Sequence, residues 1–174
     1  MMSKEDLCYA VVHGLKLSYL SILDHKILPH DGVALTDFLH GVVEFSGEPS
    51  QERLIAVKTP CEDERPFIGH FPDDPVWPTW ARFEMACLSG AMFFYCLYGK
   101  EAGLPIFGSD DRSKSPAVVR PGDLIYAEIT KPRRKGRAFA FSARLYKEHC
   151  GDQTTVYQAR RMMGFIVNKN APSP

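Results

Sequence analysis

The sequence carries no surplus of either charge: twenty-one lysines and arginines face twenty-one aspartates and glutamates. Binders of nucleic acid or of membrane surfaces usually show a basic excess, so the total charge points to neither partner. Cysteine supplies no framework. The five residues Cys8, Cys61, Cys87, Cys96 and Cys150 are odd in number, and no two form a C-x-x-C pair. That pattern suits reduced, packed thiols better than disulfides or a zinc site. His13, His25, His30, His40 and His149 show no ligand spacing and read as structural or exposed. Long apolar runs are missing too, since the longest, residues 86–98, is too short and interrupted to span a bilayer. Lys4, Glu5 and Asp6 break up the start before any apolar stretch, so no signal peptide and a cytoplasmic location are expected. No internal repeat and no low-complexity linker is visible.

What is present fits one domain over residues 1–174, with 45% hydrophobic and 24% charged residues. Residues 3–15 read as a short amphipathic helix with Ser3 as N-cap. A turn at residues 28–32 precedes a strand over 33–45, and residues 54–59 alternate as a second strand. Residues 60–78 hold five prolines (Pro60, Pro66, Pro72, Pro75 and Pro78), which forbid a long helix and impose a stiff, extended path. Residues 79–98 form the one long helix, apolar nearly all round and ended by Gly99. Strand-like runs follow at 106–118, 124–130, 138–146 and 154–166, separated by turns at Pro121-Gly122-Asp123, Lys135-Gly136 and Gly151-Asp152. Residues 168–174 read as a loose tail. One buried helix among antiparallel strands is an α+β arrangement, and its economical packing is a curved sheet wrapped round the helix, the hotdog layout.

Chemistry concentrates where the proline-rich loop meets the helix. His70 lies in the stiffened loop, and Glu84 lies in the second turn of an apolar helix. Burying an anion there is costly, so the carboxyl is expected to hold its proton. A neutral carboxyl gives a proton and a neutral imidazole takes one, which makes an acid/base pair. The bland alternatives are a structural loop histidine and a glutamate that answers the helix dipole. Cys87, one turn from Glu84, could serve as a nucleophile, but an apolar helix raises a thiol's pKa, and core packing is the better reading.

Gly69-His70-Phe71-Pro72, then Asp74-Pro75-Val76 and Pro78, then Glu84-Met85-Ala86, resembles the signature of bacterial 3-hydroxyacyl-acyl-carrier-protein dehydratases. Leu28-Pro29-His30, Leu54-Ile55-Ala56-Val57-Lys58, Phe107-Gly108 through Val118-Val119, and Pro121-Gly122-Asp123 extend the likeness in order. About three quarters of the chain is covered; only the histidine-loop-to-glutamate-helix motif is specific. The resemblance implies a hotdog fold and a homodimer whose sheets join edge to edge, with His70 from one chain facing Glu84 from the other. It implies a hydro-lyase that removes water from a carrier-bound 3-hydroxyacyl thioester, in fatty-acid, polyketide or polyene synthesis, with no metal and no organic cofactor called for. His70 takes the C2 proton, Glu84 protonates the departing hydroxyl, and the Thr79 backbone N–H holds the thioester carbonyl. Phe71, Val76, Trp80, Phe83 and Leu88 are the expected substrate-binding residues. A glutamate at position 84 matches the branch that dehydrates without isomerising.

Two positions depart from the family pattern: Thr79 stands where the family has glycine, and Leu88 where it has glutamine. They point to a specialised relative, and they keep open a catalytically silent hotdog subunit that partners an active one. A hotdog thioesterase, with Glu84 activating water, is a further alternative, disfavoured because it has no need of His70. Lys131, Arg133, Arg134, Lys135 and Arg137 crowd one turn. Taken alone they are a solvated hairpin tip; the resemblance makes Arg133, Arg134, Lys135 and Arg137 the expected dock for an acidic acyl carrier protein.

Overall fold

The computed structural model describes residues 38, 39 and 41–167. The expected helix at 3–15, the turn at 28–32, most of the strand at 33–45, the tail at 168–174, and Cys8, His13, His25, His30 and His40 lie outside the described residues. In chain order the elements are β1 (Gly41–Ser46), β2 (Arg53–Lys58), α1 (Thr79–Tyr98), β3 (Leu104–Asp111), β4 (Ile125–Lys135), β5 (Ala138–His149) and β6 (Asp152–Val167). The strands form one antiparallel sheet in the order β1-β2-β4-β5-β6-β3. This is the expected α+β hotdog arrangement.

Alternation explains which face of the sheet is covered. Ile125, Ala127 and Ile129 of β4 are buried while Tyr126, Glu128 and Thr130 are not, and Phe139, Phe141, Ala143 and Leu145 repeat the pattern on β5. A period of two puts these residues on one face. That face meets α1, whose Met85, Ala86, Met92, Phe93 and Phe94 are fully buried. The helix comes closest at Gly90: a Cβ placed there would lie 2.0 Å from Cζ of Phe141. Only a bare backbone allows that approach. Gly99 then stops the helix at a positive φ that favours glycine (φ 73°, ψ 161°), its N–H donating to the Tyr95 carbonyl at 2.9 Å. No helix among the described residues is long and apolar enough to cross a membrane.

The strand expected over 106–118 is shorter. It begins at Leu104 and ends at Asp111, where Arg112 turns the chain with φ 55°. Beyond it only an isolated bridge pairs Lys114 with Gln158. The other late strands outrun the expected limits. The register of β4 against β5 shifts between Thr130 and Arg133, with Lys131 at φ 54°, and β4 then continues to Lys135. Such a bulge is how a strand absorbs an extra residue without ending.

Candidate active site

The site begins with a loop held at both ends. At its start, Lys58 at the end of β2 is fully buried and ion-paired with Glu64. A short 3-10 turn, Arg65–Phe67, follows. Gly69 (φ 73°) and Phe71 (φ 62°) then flank His70 with two left-handed residues. At Gly69 an added Cβ would meet nothing within 4 Å, so the backbone angle alone asks for glycine. Phe71 has no such excuse; left-handed strain of this kind costs roughly 1–3 kcal/mol, and it collects at functional sites. The His70 N–H donates to the Phe67 carbonyl at 3.0 Å, and the Asp74 N–H to the Phe71 carbonyl at 3.0 Å. The imidazole is half-buried and stands edge-on to the Phe71 ring, 4.7 Å between centroids. Its Nδ1 is buried, with no hydrogen-bond partner among the described residues. Leaving such a group unpaired costs about 1–3 kcal/mol, which marks this edge of the ring as one that needs a partner.

The irregular segment beyond β3 backs this loop. The Pro60 carbonyl accepts from the Gly122 N–H at 2.8 Å, the Trp77 N–H donates to the Val119 carbonyl at 2.8 Å, and Asp74 pairs with Arg120. The Arg120 hydrogen bond holds the Asp74 carboxyl below the usual carboxylate range. Ending β3 early is what releases residues 112–124 to do this.

The helix opens without a side-chain cap. Pro78 occupies the N-cap, and its carbonyl accepts from the amides of Ala81 (3.1 Å) and Arg82 (3.3 Å). The amides of Thr79 and Trp80 have no acceptor within the helix, as at any helix start. Glu84 is half-buried in the second turn, beside Cys87. Burial pushes the Cys87 thiol up, and the charges of Glu84 and Asp110 push it further. Cys87 is therefore a packed, protonated thiol. The hydroxyl of buried Tyr157 donates to Asp110 Oδ2 at 2.9 Å, so a second carboxylate that acts on Cys87 is held in place.

Of the expected substrate-binding residues, Phe71 and Trp80 are 60% and 55% exposed, Trp80 standing edge-on to Phe38 at 5.8 Å. Val76 and Phe83 are half-buried, the side chain of Thr79 is exposed, and Leu88 is packed in the core. The structure thus joins His70 to Phe71 and sets Glu84 beside Cys87, while loop and helix carry the two groups on separate pieces of backbone. At the basic hairpin, Arg133, Arg134, Lys135 and Arg137 are all exposed, but two of them have other contacts. The Arg134 guanidinium stacks over the rings of Phe94 and Tyr98, at 5.6 and 5.0 Å. Arg137 Nε donates to the Ile166 carbonyl at 3.1 Å. Among the described residues no group of three or more His, Cys, Asp or Glu side chains converges as a metal ion requires.

One residue of the site escaped the sequence reading. Arg82 is 3% exposed, and its guanidinium gives two hydrogen bonds to the Trp77 carbonyl (Nε 3.1 Å, Nη2 2.7 Å) and one each to Ala117 (2.8 Å) and Val156 (2.9 Å). A cation in the first turn of an apolar helix opposes the dipole and was the signal available.

The six-strand sheet, the long buried helix and the positive-φ histidine loop together define a hotdog domain. Solved structures agree on the fold. The dehydratase heterocomplex ApeI:P from Xenorhabdus doucetiae superposes with a TM-score of 0.59 at 15% identity, over 77% of this chain and 85% of that one. A hypothetical thioesterase with coenzyme A from Streptococcus pneumoniae gives 0.53 at 7% identity, over 75% and 88%. No protein-family model matches the chain. Curated sequences are more specific. The 3-hydroxyacyl-acyl-carrier-protein dehydratase FabZ of Oenococcus oeni is 33% identical over 110 residues, 63% of this chain and 76% of that protein. The FabZ of Agrobacterium fabrum is 32% identical over 119 residues, 67% and 72%. The chain belongs to the FabZ family of 3-hydroxyacyl-acyl-carrier-protein dehydratases, a hydro-lyase family, as a divergent member.

Proposed function

We propose that this protein removes water from a carrier-bound 3-hydroxyacyl thioester to give the trans-2-enoyl thioester, working in the cytoplasm as a homodimer. In this reading the His70 imidazole abstracts the C2 proton as the thioester carbonyl gathers negative charge. The Thr79 amide, without an acceptor in its own helix, donates to that carbonyl. The Glu84 carboxyl gives its proton to the C3 hydroxyl as the C3–O bond breaks, and water leaves. Protons balance: one moves to His70 and one departs from Glu84, and exchange with solvent resets the pair. The observation that carries the reading is the His70 ring, fixed between two left-handed residues with a buried Nδ1 that meets no hydrogen-bond partner among the described residues.

The dimer reading rests on the sheet. Among the described residues β3 is one of the sheet's two edges, and Ile106 on β3 and Phe165 on neighbouring β6 are 51% and 70% exposed. An edge strand with apolar neighbours calls for pairing, and a second copy of β3 supplies it. The acyl carrier protein would then dock at the exposed basic hairpin, where Arg133 and Lys135 meet its acidic surface.

Incubation of the purified protein with a 3-hydroxyacyl thioester and, separately, with its enoyl counterpart tests the reaction. Interconversion of the two supports the hydro-lyase. Release of free thiol instead identifies a thioesterase. No reaction alone, but reaction after an active dehydratase partner is added, identifies a silent subunit.

A further inference from the structure

We propose that Arg82 is a positioning residue of this site: its guanidinium fixes the Trp77 carbonyl, and so fixes where the Pro78–Thr79 junction presents its amide. The inference rests on the dehydratase reading, because it concerns the amide assigned there to the thioester carbonyl.

Three unrelated pieces of backbone meet at this guanidinium. Trp77 is the second residue before α1, Ala117 belongs to the irregular segment after β3, and Val156 lies on β6. The Val156 carbonyl is available for a specific reason. Between β5 and β6, Leu145 pairs with Tyr157 and Tyr146 with Thr155, so Val156 is the extra residue of a bulge and stands outside that register. Trp77 is gripped on its other side by the hydrogen bond from its N–H to Val119. Both polar groups of that residue's backbone are thereby tied, the N–H to the segment after β3 and the carbonyl to the Arg82 side chain.

Helix stability does not call for this arrangement. A cation in the first turn opposes the macrodipole, and burial pulls the Arg82 pKa down from its ordinary value. A well-packed apolar residue of similar volume is often neutral or better at a buried charged position. What an apolar residue lacks is the rigid fork of five donors that grips three carbonyls at once. The guanidinium therefore acts on geometry. It holds the loop that carries His70, the start of the helix that carries Glu84, and the sheet in one register.

Two variants separate positioning from bulk support. Arg82→Lys keeps the charge and loses the fork; Arg82→Met keeps volume and loses both. Assayed well below their melting temperatures, both are expected to lose kcat about 10- to 100-fold, as misplacing a reacting group by about an ångström does. KM for the thioester should stay within about threefold, since the acyl-lining side chains are untouched. Equal loss in kcat and KM, or wild-type kcat in a folded Arg82→Lys, overturns the proposal. Backbone hydrogen exchange over residues 76–84 reads positioning without turnover: faster exchange in Arg82→Lys supports it, and unchanged exchange overturns it. If both variants fail to fold, the wild-type protein decides. A slowly exchanging Arg82 Nε–H resonance at neutral pH supports the buried fork, and a rapidly exchanging one overturns it. Wild-type protein without hydro-lyase turnover counts against the dehydratase reading alone, because the exchange measurements still judge the placement.

Discussion

Gly90 of the central helix lies against the ring of Phe141 on β5, so close that its missing side chain would overlap the ring. Gly90→Ala gains about 1 kcal/mol of helix propensity. It must also displace a fully packed aromatic, and overpacking of this kind costs roughly 1–3 kcal/mol, occasionally more. The overlap decides the sign. The variant is expected to melt lower, by about 2–4 °C for each net kcal/mol lost in a chain of this size. A melting temperature at or above wild type would show that helix and sheet do not meet here.

His70→Ala and Glu84→Gln are each expected to lower hydro-lyase turnover by about 10²- to 10⁴-fold while the dimer stays folded. Mixed dimers of the two variants should regain one working site, because each contributes the group the other lacks. Near wild-type turnover in either single variant would remove that residue from the mechanism. Mixed dimers as dead as their parents would place both groups of a site on one chain.

Carrier docking is best probed at the hairpin residues whose side chains make no hydrogen bond or ring contact among the described residues. Arg133→Glu with Lys135→Glu should raise KM for carrier-bound substrate strongly and leave turnover of a short pantetheine thioester nearly unchanged. The effect should fade as salt rises, since exposed charges are screened over about 8 Å at physiological ionic strength. Arg134→Glu and Arg137→Glu should in addition lower the melting temperature, because one loses its stacking on Phe94 and Tyr98 and the other its bond to Ile166. Equal loss with both substrate types would assign the hairpin to the fold.

Thiol reactivity should divide along burial. Alkylation proceeds through the thiolate, and burial raises the Cys87 pKa, so near pH 8 that residue stays protonated and unmodified. Cys61 and Cys150 are exposed and should react, while buried Cys96 should not. Labelling is read by peptide mass spectrometry. Modification of native Cys87 at a rate like that of Cys61 would mean the helix face beside Glu84 is open to solvent.

Much of this protein was determined by local sequence. The bounds of the long helix follow from Pro78 before it and Gly99 after it, and the late hairpins from Gly136 and Gly151, because these residues restrict or free the backbone wherever they stand. The alternation in β4 and β5 likewise announces which face is buried. His70 and Glu84 could be singled out because a proline-stiffened loop and a carboxyl in an apolar helix are visible in one short stretch. Tertiary structure decided the rest. That β3 stops at Asp111 depends on residues 112–124 finding better partners in Pro60, Asp74 and Trp77 than in the sheet. That Arg134 and Arg137 are pinned depends on rings and carbonyls from the helix and from β6. Arg82 shows the reason most plainly. Its acceptors are backbone carbonyls near positions 77, 117 and 156, identical in chemistry to every other carbonyl in the chain, and only folding selects which three a guanidinium meets.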